Sequence, residues 1–280
     1  VAFYFEVNMI TPTTIAHFKS LIWDFYRTQG RQFPWRNDAD PYAVVISEIM
    51  LQQTQTYRVE PKYRAFLAAL PTIQDLAQAD LRTVLTLWQG LGYNRRGKFL
   101  HEMAREIVHK HAGIIPDAPE LLVQLPGIGK ATAGSICAFA FNKPTVFIET
   151  NIRTVFIYHF FTGRNDIHDK EIMPLVAATV DQENPREWYY ALMDYGVHLK
   201  KSLPNPSRSS KHHVIQSKFE GSDRQIRGAI LRHLTQHEGL EKSHLIALIS
   251  PDSSRRVERI LAQLVSERLI EVKNNRVSIR

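Results

Sequence analysis

The sequence predicts an all-α fold over residues 1–198, followed by a small α+β unit. Three observations carry this. Apolar residues recur at helical spacing from Thr11 onward, and no long stretch before residue 198 alternates like a sheet. A glycine turn, LPGIGK at 125–130, separates two apolar helical segments. Alternation sets in only near the end, where Leu269–Val272 and Arg276–Ile279 flank Lys273-Asn274-Asn275 and read as a β-hairpin.

Between Thr11 and Arg27, Ile15, Phe18, Leu21, Ile22 and Phe25 share a helical face. Thr28–Asp40 is a polar loop carrying Phe33-Pro34-Trp35-Arg36. Pro41 opens the next helix as its first residue, and Val44, Val45, Ile46, Ile49 and Met50 continue it. At about 100° per residue, Glu48, Gln52 and Gln55 would form a polar stripe on this apolar helix, facing solvent or a polar cavity. Helical patterns follow at 56–69, 73–77, 81–88 and 97–111, broken at Pro71 and at Gly90–Asn94. Residues 117–124 lead into the glycine turn, and 131–141 leave it as a helix.

In that turn, Gly127 and Gly129 let the backbone take positive φ and approach a partner closely. The helix that follows starts with unpaired N–H groups, which favour a phosphate, and Lys130 adds charge there. An ordinary turn between two core helices has the same pattern. Glu149-Thr150-Asn151 opens a helix running to Phe160, and an acid at that place also stabilises the helix dipole. Two more helices, 169–181 and 186–198, are separated by Asn184-Pro185.

Residues 199–222 are basic and rich in Pro and Ser, and read as a linker. Within it His212-His213 reads as solvated rather than as a metal pair, because other ligands are not apparent. Helices at Arg224–His237, Ser243–Ile249 and Ser253–Glu267 then precede the hairpin, so residues 223–280 resemble a winged-helix module. Arg255, Arg256 and Arg259 on the third helix fit major-groove or phosphate contacts; winged helices also serve protein contacts. The predicted organisation is thus 1–198, 199–222 and 223–280.

Composition narrows the class. Hydrophobic content of 44% and charged content of 22% are those of an ordinary globular chain. No apolar run approaches the roughly 20 residues of a membrane helix, so no membrane partner is expected. Residues 1–11 lack a basic leader, no signal peptide is expected, and Met9 is a candidate start. The single cysteine, Cys137, excludes an internal disulfide and a multi-cysteine metal or iron–sulfur site. Residues 1–198 hold 19 basic and 20 acidic side chains, whereas 199–280 hold 16 and 8. The positive charge therefore lies in the C-terminal third, which suggests a polyanion partner.

Six collinear segments now combine: FPWR at 33–36, DPYAVVISEIMLQQTQ at 40–55, LWQGLGYNRR at 87–96, LPGIGKATAG at 125–134, ETNIRTV at 149–155 and ALMDYG at 191–196. Together they resemble the helix-hairpin-helix base-excision DNA glycosylases, most closely the A/G-mismatch adenine glycosylases (the MutY family). The resemblance implies a two-lobed helical glycosylase fold. It makes Glu48 the catalytic acid and places Glu149 where the family has an aspartate that stabilises positive charge on the sugar. Asn151 would support that site. Gln53 would enter the base stack, Tyr93 would line the lesion side, and Trp35 and Arg36 would border the base pocket. Gly127, Gly129 and Lys130 would hold a phosphate, with a monovalent cation at the hairpin. Ala131, at the pocket, stands where lyase-type relatives such as endonuclease III carry a Schiff-base lysine, which implies hydrolysis without a lyase step.

Elementary chemistry asks for the same parts. Cleaving an N-glycosidic bond needs a protonated leaving base and a stabilised sugar cation, roles two carboxyls can divide if their environments separate their pKa values. Glu48, in an apolar helix, is expected to be the protonated one, and Glu149, at a helix start, the ionised one. Both must face one cleft wide enough for an everted nucleotide. The family's iron–sulfur cysteines are absent, so no [4Fe–4S] cluster and no other metal is expected. The C-terminal unit is also unlike the family's 8-oxoguanine-reading domain. The expected protein is a monomeric DNA glycosylase acting on double-stranded DNA with a mismatched or damaged base, adenine first. It would work in the cytoplasm on the nucleoid, or in a nucleus. The alternatives are a thymine/uracil mismatch glycosylase and a non-catalytic lesion-binding protein.

Overall fold

The computed structural model describes residues 11–37, 39–249 and 254–280, so the expectations for residues 1–10 lie outside it. Fourteen α-helices and one three-stranded sheet are described. In chain order the helices are α1 (Pro12–Gln29), α2 (Pro41–Leu51), α3 (Thr56–Ala69), α4 (Ile73–Gln78), α5 (Leu81–Leu87), α6 (Arg95–Lys110), α7 (Pro119–Leu122), α8 (Lys130–Phe141), α9 (Thr150–Phe160), α10 (Asp169–Thr179), α11 (Pro185–Ser202), α12 (Asp223–Gln236), α13 (Lys242–Ile249) and α14 (Ser254–Ser266). The strands are β1 (Leu240–Glu241), β2 (Ile270–Lys273) and β3 (Arg276–Ile279). The all-α reading of the first part and the small α+β unit at the end both hold. No helix among the described residues is long and apolar enough to cross a membrane.

The chain weaves between two compact units. The first comprises Val1–Val44, Asp117–Val123 and Ile128–Ile215; the second comprises Val45–Pro116, Gln124–Gly127 and Gln216–Arg280.

In the first unit, Thr11 caps α1 by accepting from the Thr14 N–H at 3.2 Å, with Pro12 as the first helical residue. Phe18 of α1 meets Phe156 and Phe160 of α9 and Trp188 of α11, at ring centroids 5.2–6.1 Å apart. Helix α11 packs closely on α9 because of Gly196: a Cβ there would lie 2.4 Å from the Asn151 carbonyl oxygen. The helix also runs past the expected end at 198, to Ser202. Leu199 is buried, Lys200 finds a partner on α9, and no breaker occurs before Pro204. Beyond it, Asn205 Oδ1 accepts from the Ser207 N–H and hydroxyl, Ser207 and Ser210 are buried, and Ser210 bridges Ile167. This half of the 199–222 stretch is therefore built into the unit.

In the second unit, α4 and α5 pack on α6, whose Leu100, Met103, Ala104 and Ile107 are buried. Thr72 and Asp75 form a capping box on α4, and Asp80 caps α5 through the Thr83 N–H at 2.6 Å. The C-terminal helices enclose a core of Ile230, Leu231, Leu234, Leu245, Val257, Ile260, Leu261 and Leu264, joined by Leu269 just before β2 and by Ile270 and Val277 from the strands. Leu85 of α5 belongs to the same core, and Arg82 donates to the Leu234 carbonyl at 2.9 Å. Fully burying each such side chain contributes about 1.5–3 kcal/mol, which fastens the C-terminal helices to α5. The sheet order is β1-β3-β2, antiparallel throughout. Asn274 and Asn275 make the turn at φ 48° and 61°, as a two-residue hairpin demands. Strand β1 escaped the sequence reading because two residues show no alternation.

Replacing Gly196 with Ala should lower unfolding free energy by about 1–3 kcal/mol, since the methyl meets backbone. Urea titration measures it, and wild-type stability in the variant would refute the close-approach account.

Candidate active site

Helix α2 starts at Asp40, whose carboxylate accepts from the Ala43 N–H at 3.0 Å. From Tyr42 to Met50 every residue is buried except Glu48, which is half-buried. The predicted polar stripe does not form. The helix ends at Leu51, Gln52 lies in the turn, and Gln55 already caps α3. Only Glu48 of the three is on the helix, the one carboxyl in a mostly apolar element.

The helix end is held by a side chain that the sequence reading passed over. Arg96 Nη1 donates to the carbonyls of Ile49, Met50 and Gln52 at 2.7, 3.0 and 2.6 Å. Its Nη2 reaches Thr54 Oγ1 at 2.9 Å and the carbonyls of Leu91 and Gly92 at 3.3 and 3.2 Å. Burial pushes this guanidinium down to about 10. One cation thus satisfies the orphan carbonyls of α2 and ties the 91–92 loop to the 52–54 turn. Gln53 and Tyr93, the two side chains expected in the DNA, sit on these two loops. Both have left-handed backbone, at φ 54° and 47°, a conformation rare for non-glycine residues. Gln53 is exposed and Tyr93 half-buried. In this unit Gly127 takes φ 79°, and a Cβ there would lie 2.8 Å from Phe99 Cβ.

The first unit holds the other carboxyl. Glu149 is the N-cap of α9: its Oε1 accepts from the Asn151 and Ile152 N–H groups at 2.6 and 2.9 Å, and its Oε2 from Asn151 Nδ2 at 3.2 Å. Asn151 Oδ1 accepts from Lys200 Nζ at 2.8 Å. The structure therefore brings Glu149 and Asn151 together as expected, and adds Lys200, which sequence reasoning had assigned to the linker. Burial and capping pull the Glu149 carboxyl in opposite directions. Burial pushes its carboxyl up, and the Ile152 and Asn151 N–H bonds and the Lys200 and Arg153 charges offset this only in part. Lys200 is in turn pushed down by burial, against the opposing pull of Glu149.

Trp35 and Arg36 are buried in the same unit. Trp35 stacks on Phe33 at 4.8 Å, and Arg36 lies 4.4 Å over Tyr190. The Arg36 guanidinium donates to both carboxylate oxygens of Asp194 at 2.8 Å, and Arg31 adds its backbone N–H at 2.7 Å and Nε at 2.8 Å. Arg36 is thus one half of a buried ion pair rather than an open donor. Asp194 is only 1% exposed; burial alone would raise its pKa, but the Arg36 and Arg31 bonds and charges outweigh it and hold the carboxyl below the usual range.

The turn before α8 is half as expected. Gly129 caps α8 with φ −91°, so of the two glycines only Gly127 uses positive φ. Gly129, Lys130 and Ala131 are exposed, and the α8 cap carries no side-chain hydrogen bond. In the C-terminal helices, Arg255 is exposed, whereas Arg256 and Arg259 both bind Asp223 at 2.8 Å. Two of the three arginines expected at DNA therefore share one carboxylate within the unit.

Thiolate ligands for an iron–sulfur cluster do not exist here: the one cysteine, Cys137, is buried in α8. Among the described residues no group of three or more His, Cys, Asp or Glu is placed to hold a metal.

A profile of the HhH-GPD superfamily, described as base excision DNA repair protein, matches residues 46–180, which include Glu48, the glycine turn and Glu149. An adenine DNA glycosylase of Mycobacterium tuberculosis is 29% identical over 288 residues, covering 95% of this chain and 93% of that protein. Those of Buchnera aphidicola subsp. Baizongia pistaciae and Mus musculus are 35% and 34% identical, over 66% and 77% of this chain. The match spans about half the length of these two relatives, at 53% and 44%. A solved thermostable thymine-DNA glycosylase superposes with TM-score 0.59 at 25% identity, covering 66% of this chain and 86% of that one. An endonuclease III–DNA complex superposes at 0.57 with 16% identity, over 66% and 85%, which shows a shared fold.

Asp194→Asn should cost about 3–5 kcal/mol at neutral pH, because Arg36 is left buried without a counter-charge. Asp194 is depressed in the fold, so its contribution is present above the unfolded value of about 3.9 and is lost as pH falls through the folded one. Urea titrations from pH 7 to pH 3 should show wild type and variant converging only at the acid end.

Proposed function

The chain belongs to the HhH-GPD superfamily of base excision DNA repair proteins, and we propose that it is a monofunctional DNA glycosylase whose first substrate is adenine in a mismatch. The observation that carries this reading is Glu48, a half-buried carboxyl whose helix is otherwise buried from Tyr42 to Met50, inside the matched region. The relatives named adenine DNA glycosylase direct it to adenine.

In this reading the base is everted from the duplex, because a stacked base cannot reach a carboxyl set in a helical unit. Glu48 donates its proton to a ring nitrogen of that base, and the C–N bond breaks with the electron pair leaving on the base. Positive charge then develops on the sugar, where the Glu149 carboxylate opposes it. Water adds to the sugar carbon and its proton passes to the Glu48 carboxylate, which restores the starting state. Ala131 offers no amine for a Schiff base, so hydrolysis without strand cleavage is part of the proposal. The exposed N-terminus of α8, with Gly129 and Lys130, would receive a backbone phosphate, and a monovalent cation at the glycine turn would assist. Gln53 would occupy the place of the everted base. DNA with a mismatched or damaged base is the proposed partner, bound by a monomer in the nucleoid or nucleus.

Thymine or uracil opposite guanine is the second reading, favoured by the structural match to the thymine-DNA glycosylase. A panel of duplexes, each treated with hot alkali to cleave abasic sites, separates the two. Product from adenine opposite guanine or 8-oxoguanine supports the first. Product only from thymine or uracil duplexes sinks it.

Glu48→Gln should reduce base release by at least about 100-fold while duplex affinity stays within a few-fold, since phosphates are held by Lys and Arg. Unchanged turnover would favour a binding protein without catalysis. Lys200 lowers the Glu149 pKa, so removing it raises that pKa further. Lys200→Met should therefore move the acid limb of the single-turnover pH profile to higher pH, with Lys200→Arg restoring it. A loss of rate uniform across pH would reduce Lys200 to a packing role.

A further inference from the structure

Residues 142–149, which lead from α8 into Glu149, form neither helix nor strand, yet Phe147 and Ile148 within them are buried. Extended backbone in an interior needs partners for its N–H and C=O groups, and all three described strands lie in the second unit. A side chain stands in. The Tyr189 hydroxyl of α11 donates to the Thr145 carbonyl at 2.5 Å and accepts from the Phe147 N–H. One phenol thus takes up the two backbone groups, on residues two apart, that a residue of a parallel strand would take up. Its ring lies 4.2 Å from the Phe147 ring. Tyr189 is wholly buried, and burial pushes its hydroxyl well above the ordinary value against the smaller pull of the Phe147 N–H. It therefore keeps its proton, and its donor role, at neutral pH.

Helix α8 holds the same segment. The Thr145 hydroxyl donates to the Gly134 carbonyl at 2.7 Å, and a Cβ at Gly134 would lie 2.8 Å from Phe147 Cβ. Upstream, Asn142 ends α8 at φ 51°, with its side-chain amide tied to the Glu183 carbonyl and the Arg186 N–H at 3.0 and 3.2 Å. The chain is thus fixed at Asn142, Thr145 and Phe147, and Glu149 follows two residues later. There Oε1 meets the Asn151 and Ile152 N–H groups, and a glutamate has one more torsion to settle than the shorter aspartate. Backbone placement decides where that carboxylate lies.

We propose that Tyr189 is a positioning residue for Glu149: its hydroxyl fixes the backbone two residues before the carboxyl, and so sets where the carboxylate meets the developing sugar cation. The proposal rests on the glycosylase reading and adds to it the device that aims one of the two acids. A placement error of about 1 Å can cost about 100-fold in rate.

Tyr189→Phe deletes one oxygen and leaves the ring in its stack. In single-turnover assays of the full chain it should slow base release about ten- to 100-fold, with duplex affinity within about twofold, since no phosphate contact is touched. The second readout needs no substrate. In NMR spectra with isotope-labelled glutamate, the Glu149 carboxyl signal, identified by its loss in Glu149→Gln, reports its own titration. The Ile152 and Asn151 N–H bonds lower that pKa, so a displaced carboxyl that loses them titrates at higher pH. Thr11→Ala removes the cap of α1 and controls for general loosening; it should leave rate and titration as in wild type. Should Tyr189→Phe not fold, Gly134→Ala presses on Phe147 from α8 and should move the Glu149 titration the same way. An unmoved titration in Tyr189→Phe, or in Gly134→Ala as its substitute, overturns the positioning role. So does a shift of equal size in Thr11→Ala, or an unchanged rate in Tyr189→Phe beside normal wild-type base release. A wild type that releases no base sinks the glycosylase reading alone, because the titration is read on the free protein.

Discussion

The guanidinium of Arg96 is the constraint on which the second unit depends. A helix that ends in the interior leaves carbonyls needing donors, and α2 ends there because Gln53 turns left-handed. Arg96 supplies those donors from one planar group, and the same group gathers the 91–92 loop. The loops carrying Gln53 and Tyr93 are therefore fixed to the helix that carries Glu48. Burying a cation this deeply is costly, as its depressed pKa shows, and six hydrogen bonds offset that cost.

The first unit solves a parallel problem with a carboxylate. Asp194 sits in α11, and two arginines from the loop before α2 converge on it, so the Phe33–Arg36 segment is docked by charge as well as by ring stacking. Two residues further on, the absence of a side chain at Gly196 lets α11 meet α9 at Asn151. Lys200, near the end of α11, then reaches the Asn151 amide. Glu149, Asn151 and Lys200 thus owe their grouping to one helix–helix contact.

The C-terminal helices take part in the second unit through apolar packing on α5 rather than as a loosely carried arm. Their third helix spends much of its charge internally, on Asp223. Unpaired positive charge gathers instead beside Tyr93, around Arg224 and Arg232.

Whereas the two glutamates became candidates through the resemblance carried by six collinear segments, local signals in the sequence determined the helices and the hairpin turn at Asn274-Asn275. Each of these depends on residues within a turn or two of one another: spacing of apolar side chains, prolines at helix starts, left-handed asparagines. The same locality produced the errors. A stripe over Glu48, Gln52 and Gln55 assumes that the helix continues, whereas it ends at Leu51, where a guanidinium from more than forty residues away takes up its carbonyls. That burial raises the Glu149 pKa is not visible in the sequence, because burial is not local, whereas helix capping is. That Arg36 is held by Asp194, far along the chain, is likewise invisible locally. The roles of Arg96, Lys200 and Asp194 were decided by tertiary structure alone, because a buried charge acquires its function from the partner that neutralises or solvates it, and that partner is chosen by packing.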